Sequence, residues 1–84
     1  MRKVTVYLKP TCPYCKKALL VLNRQGVNPI VVDIAQRPKR RPEMIRKSNG
    51  STTVPQIFFN DEHIGGCDDL VRLEKTGQLE EKLK

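Results

Sequence analysis

The sequence predicts an α/β fold, a mixed sheet covered by helices on both sides. Three observations carry this. An alternating segment, a helix-period segment and an apolar run follow one another, which reads as a βαβ unit with parallel strands and a right-handed crossover. Two later apolar segments flank Asn60-Asp61-Glu62, which reads as a hairpin. Pro and Gly stand where helices should start and stop.

The first strand alternates Val4, Val6 and Leu8 against Thr5 and Tyr7. A helix then runs from Pro13 to about Gln25, with Pro13 suited to the first helical position and Gly26 to the stop. Its periodic apolar face is Cys15, Ala18, Leu19 and Leu22. Ile30–Ile34 is the second strand, a run typical of a parallel strand covered on both faces. A basic connection, Arg37–Pro42, leads to a helix over about Pro42–Ser48 that ends at Asn49-Gly50. Gln56–Phe59 is the third strand and His63-Ile64 a short fourth. Gly65-Gly66 opens a third helix whose first turn holds Asp68 and Asp69, where negative charge is favoured. Gly77 breaks that helix before a short amphipathic tail.

The 84 residues are expected to form one domain, 1–84, without linker, repeat or low-complexity tract. Three cysteines cannot all pair. The apolar stretch after Arg2 and Lys3 ends at Lys9-Pro10, too short for a secretory signal. A reduced, cytoplasmic protein is therefore expected, with no membrane span.

The net charge of +7 is unevenly spread. Residues 1–50 hold 12 Lys/Arg against Asp33 and Glu43, whereas residues 51–84 hold 4 against 7 acids. Such a field attracts anionic small molecules and acidic protein faces. With two Tyr, two Phe and no basic–aromatic interleaving, the chain lacks a stacking platform, so no nucleic-acid partner is expected.

Cys12-Pro13-Tyr14-Cys15 lies where the first strand gives way to the first helix. This spacing at the mouth of a βα unit points to thiol–disulfide exchange, although paired thiolates also bind zinc. Cys12 sits at the helix N-terminus, where N–H groups and the dipole favour thiolate; Lys9, Lys16 and Lys17 should lower its pKa further. Cys15, on the core face, is expected to be the shielded partner. His63 and Cys67 joining both thiols in a Cys3His metal set is disfavoured by the roughly 47 residues between the pairs, far beyond compact finger spacing.

Three separated motifs, Thr11–Cys15, Thr53-Val54-Pro55 and Gly65–Asp69, occur in this order at these junctions. With them the chain resembles the glutaredoxin family, specifically the short bacterial dithiol kind, over essentially its whole length. The resemblance implies a thioredoxin-like fold with a four-stranded mixed sheet of order 2-1-3-4. It also implies a glutathione-disulfide oxidoreductase whose partners are glutathione, as reductant, and glutathionylated or disulfide-containing proteins. A monomer without metal is expected. Cys12 matches the nucleophile and Cys15 the resolving cysteine. Thr53-Val54-Pro55 matches a cis-proline loop whose Val54 backbone pairs with an extended substrate. Gly66-Cys67-Asp68-Asp69 matches the loop that holds the γ-glutamyl end of glutathione. There, helix N–H groups suit the α-carboxylate and Asp68 or Asp69 suits the ammonium, while acids at this place also serve as caps. Lys9 and Arg41 match positions that meet the glycine carboxylate, and Tyr14 flanks the tripeptide. Around Arg41 the chain departs from the family pattern: Pro38 and Pro42 are unfamiliar, and Arg37, Lys39 or Arg40 are alternatives to it. Cys67 reads as a half-buried small apolar residue and His63 as an exposed residue on an edge strand. Two other readings are a redoxin fed by thioredoxin reductase and, from another class, a metal-binding or iron–sulfur carrier protein.

Overall fold

In the computed structural model, which describes residues 1–84, β1 (Val4–Leu8) leads into α1 (Pro13–Arg24) and β2 (Ile30–Asp33). A 3-10 turn, Pro38–Arg40, runs directly into α2 (Arg41–Lys47). β3 (Gln56–Phe59), β4 (Glu62–Gly65), α3 (Cys67–Lys75) and α4 (Leu79–Leu83) complete the chain. The sheet order is β2-β1-β3-β4. β1 and β2 are parallel, and the β1–β3 and β3–β4 pairs are antiparallel.

The period-2 pattern of β1 divides the interior. Val4, Val6 and Leu8 join Ile57 and Phe59 of β3 beneath α1, α3 and α4, in a cluster of 14 buried residues. Cys15, Ala18, Val21 and Leu22 are the buried face of α1. Leu22 is fully buried, a contribution of about 1.5–3 kcal/mol for a side chain of its size. On the other face Tyr7, Val32, Ile34, Met44 and Phe58 form a cluster of five under α2.

Three expectations need correction. β2 is an edge strand rather than one covered on both faces: Ile30 and Val31 are 50% and 48% exposed, and only Val32 reaches the small cluster. An edge position and a seven-residue α2 leave its first half uncovered. The basic connection is helical from Pro38, since Pro38 and Pro42 each stand at the start of a turn and fit its fixed φ. β4 takes in Glu62 and Gly65, so the turn narrows to Asn60-Asp61, with Asn60 at φ +52.

The pairing pattern brings the separated motifs together. Tyr7, near the C-terminal end of β1, pairs with Gln56 at the start of β3. Pro55 therefore lies beside the segment that carries Cys12. Gly65, at the end of β4, pairs with Ile57, which carries Gly66–Asp69 to the same edge.

Candidate active site

Cys12 is the N-cap of α1. Its Sγ accepts a hydrogen bond from the Cys15 N–H at 3.3 Å and lies 3.8 Å from the Val54 carbonyl oxygen. Partial burial pushes this thiol up. Hydrogen bonds from the Cys15 thiol and from the Cys15 and Tyr14 N–H groups, with the Lys9 charge, outweigh that and hold it below the ordinary value. Hydrogen bonding is thus the main stabiliser of the thiolate. Of the three lysines expected to act on Cys12, Lys9 does, whereas the Lys17 charge acts on Cys67.

Cys15 is 1% exposed. Burial first, and the hydrogen bond to Cys12 second, push its thiol up to about 12. Cys67 is buried, not half-buried, and burial raises its thiol too. All three thiols are free.

Beside Cys12 and Val54 opens a cleft of about 360 Å³. Tyr14, Thr53, Val54 and Pro55 form one part of its wall and Gly66, Cys67, Asp68 and Asp69 another. The Val54–Pro55 peptide is cis. A Cβ built on Gly66 would stand 3.4 Å from the Pro55 carbonyl oxygen, so the two motifs nearly touch. The two acids divide their roles. Asp69 Oδ2 accepts from the Gly66 N–H at 3.0 Å, which makes it the cap of α3, and its Oδ1 meets Arg72 at 3.3 Å. Asp68 is exposed and has no partner. Gly65, at φ +123, must be glycine, because a Cβ there would meet Asp69 Oδ2 at 2.2 Å.

Lys9 and Arg41 lie outside the cleft lining. Lys9 is exposed, and the Arg41 Nη2 donates to the Thr52 carbonyl at 3.1 Å, tying α2 to the loop that precedes Val54. The arginine fork of Arg40 is taken by Glu43, at 2.8 and 3.1 Å, and Glu43 also accepts from the buried Tyr7 hydroxyl.

Four cleft residues, Ser51, Gln56, His63 and Gly65, were not among the site residues expected from the sequence. Gln56 is buried, and its Nε2 donates to the Thr53 carbonyl at 2.9 Å. Its Oε1 therefore faces His63, whose Nε2 lies 2.6 Å away and donates. His63 is half-buried against Phe58, ring centroids 5.1 Å apart, not exposed as expected. The signal was a glutamine directly after Pro55, where an apolar strand residue would be ordinary. No three His, Cys, Asp or Glu side chains are grouped to hold a metal ion, and no helix is long and apolar enough to cross a membrane.

A glutaredoxin family model matches residues 4–64. Glutaredoxin 3 of Escherichia coli (strain K12) is 48% identical over 84 residues, covering all of both chains. The glutaredoxin of Pseudomonas aeruginosa is 45% identical over 80 residues, 95% of this chain and 94% of the relative. Among solved structures, the glutaredoxin from Brucella melitensis matches with a TM-score of 0.85 at 43% identity, covering 100% of this chain and 90% of that one. The buckwheat glutaredoxin–glutathione complex matches at 0.87 with 25% identity, over 98% and 76%. With a thioredoxin-like sheet, two cysteines one helical turn apart and these relatives along its full length, the chain belongs to the glutaredoxin family of thiol–disulfide oxidoreductases.

Proposed function

We propose that the chain is a glutathione-dependent oxidoreductase that reduces protein–glutathione mixed disulfides and protein disulfides through Cys12 and Cys15, as a single cytoplasmic domain. The observation that carries this is the asymmetry of the two thiols beside one cleft: Cys12 held low by its hydrogen bonds, Cys15 buried and held high.

Cys12 thiolate attacks the glutathione sulfur of a mixed disulfide. The Cys12–glutathione bond forms, the old S–S bond breaks, and the protein thiolate leaves and takes a proton from water. The thiolate of a second glutathione attacks the glutathione sulfur on Cys12, giving oxidised glutathione and restoring Cys12 thiolate. On a protein disulfide, Cys12 first forms a mixed disulfide with one substrate sulfur. Cys15 then loses its proton and attacks Cys12, which releases the reduced substrate and leaves a Cys12–Cys15 disulfide. Two glutathiones reduce that disulfide. The Cys12 charge is one of the causes that keep Cys15 protonated. Once Cys12 is bonded to another sulfur that charge is gone, so Cys15 is easier to deprotonate at the moment it is needed.

Glutathione offers two carboxylates and an ammonium on an extended backbone. Asp68 meets the ammonium, while the α3 N–H groups from Gly66 onward, next to Cys67 and the cap Asp69, meet the α-carboxylate. The Val54 backbone, set by Thr53 and Pro55, pairs with the middle, and Tyr14 flanks it. Lys9 and Arg41 attract the glycine carboxylate from the rim. The buckwheat relative, solved with glutathione, supports this choice of thiol.

Steady-state kinetics test it. Asp68→Ala should lower the specificity constant for glutathione by an amount worth about 1–3 kcal/mol, as for a charge-assisted hydrogen bond, and leave reduction by mercaptoethanol nearly unchanged. Equal constants for Asp68→Ala and wild type would overturn the ligand role of this loop. Turnover driven by thioredoxin reductase and not by glutathione would assign the chain to the reductase-fed redoxins.

A further inference from the structure

Charge on this molecule is divided into paired and unpaired groups. Of the 16 cations, Arg2, Arg24, Arg40, Arg72, Lys82 and Lys84 are in ion pairs. The other ten have no carboxylate partner, and all but Lys75 precede Ser48 in the chain. The two acids of that half are both consumed. Asp33 Oδ1 accepts from the Ala35 and Gln36 N–H groups at 2.9 and 3.0 Å, and Glu43 is held by Arg40 and Tyr7. No free carboxylate neutralises this half.

Topology gathers part of the unpaired charge around Cys12. β1 and β2 run parallel with Leu8 opposite Asp33, so the segments leaving their C-terminal ends emerge side by side. The first carries Lys9, Cys12 and then Lys16 and Lys17 in the opening turns of α1; the second carries Arg37 and Lys39. All five cations are exposed. The Lys9 charge acts on Cys12 and the Lys17 charge on Cys67 in the cleft wall, so these two of the five cations act on the cysteines of the site. The one unpartnered carboxylate in the cleft is Asp68. Phosphates would also suit exposed cations. However, Tyr7, Phe58 and Phe59 are buried, and Tyr14 is the one exposed aromatic, so no row of rings accompanies the cations.

We propose that the protein substrates presented to Cys12 carry acidic residues beside the reacting cysteine, and that Lys16, Lys17, Arg37 and Lys39 receive them. This rests on the thiol-exchange reading above and names its substrate class. The attraction acts mainly on encounter, through the summed field, and is sensitive to salt.

The test uses two glutathionylated peptides of equal length, the modified cysteine flanked by Asp and Glu in one and by Lys in the other. Specificity constants are measured with glutathione as reductant, at low and high ionic strength, on wild type and on Arg37→Gln/Lys39→Gln. Both peptides bear the same glutathione and meet the same Cys12, so losses at either group cancel in the ratio of the two constants. The acidic peptide should be favoured by about tenfold or more at low salt. The ratio should approach one near 1 M salt, where the screening length is about 3 Å. The double variant should lower the low-salt ratio severalfold. A low-salt ratio of one, or a ratio unchanged in the double variant, overturns the proposal and leaves the oxidoreductase reading standing. A ratio of one with salt-labile binding of a single-stranded oligonucleotide assigns the cations to nucleic acid and also overturns it. Turnover of neither peptide removes the oxidoreductase reading itself, and the proposal with it.

Discussion

Cys12 and Cys15 differ because one caps a helix and the other faces the core. A cap sulfur receives N–H donors that favour its negative form, whereas a core sulfur loses its water without gaining a charge partner. The chemistry follows from this difference. Alkylation of the Cys15→Ser protein, followed against pH, should show a midpoint below the ordinary 9.0 for Cys12. The rate should rise as pH climbs through that midpoint, because thiolate is the reacting form. The same variant should keep much of its activity on a small glutathionylated substrate and lose mainly protein-disulfide reduction, whereas Cys12→Ser should lose both. Equal loss in the two variants on the small substrate would reverse or remove the assigned roles. The cap position was readable from Pro13 at the helix start. The Gln56–His63 chain behind Thr53 was not, because its members are seven residues apart and meet only when β3 and β4 pair.

At the scale of elements, the decisive piece is the α2 segment. A helix of seven residues is too short to be stable by itself and needs tertiary anchors. Met44 supplies an apolar one, and the Tyr7–Glu43–Arg40 chain a polar one linking β1, the 3-10 turn and α2. Arg40 first and Tyr7 second hold the Glu43 carboxyl at about 2, against an ordinary 4.5. Because the folded value is depressed, the associated stability is fully present above pH 4.5 and is lost as pH falls towards 2. Glu43→Gln should cost about 1–2 kcal/mol at neutral pH, at the low end for charged hydrogen bonds because Arg40 is partly exposed. Thermal melts should then show wild type losing stability between pH 4.5 and 2 more steeply than the variant does. Parallel profiles would mean that the chain of bonds contributes nothing.

For the molecule as a whole, the two faces of the sheet are unequally held. Fourteen buried residues lie on the α1, α3 and α4 side and five on the α2 side. Local opening should be easiest where the fewest apolar groups are lost to water. Native-state hydrogen exchange should therefore release the α2 amides, such as those of Arg46 and Ser48, well before those of Val6, Leu22 and Ile57. Equal protection across both faces would show that the Glu43 chain compensates for the smaller cluster. The same division locates the rim cation Arg41 on the looser side, tied to Thr52, next to the loop that carries Val54.

Much was legible in the chain because it depends on neighbours. Alternation in Val4–Leu8, periodicity in Cys15–Leu22, and Pro13, Gly26 and Gly77 as punctuation located the strands and helices to within one or two residues. Cys12 at the head of a helix already implied a stabilised thiolate. The family motifs supplied the sheet order and the expected ligands. Tertiary structure decided what depends on residues far apart. It made β2 an edge with Ile30 and Val31 exposed, since no local pattern states whether a helix covers a strand. It used Asp69 as a cap and left Asp68 free, because which carboxylate can reach the Gly66 N–H depends on the turn geometry at Gly65. It gave Glu43 and Asp33 partners close by in the chain or the sheet and left ten cations without a carboxylate partner, a division that a count of charges cannot contain. Charge type is a property of the sequence; charge pairing is a distance, and only the folded backbone sets distances.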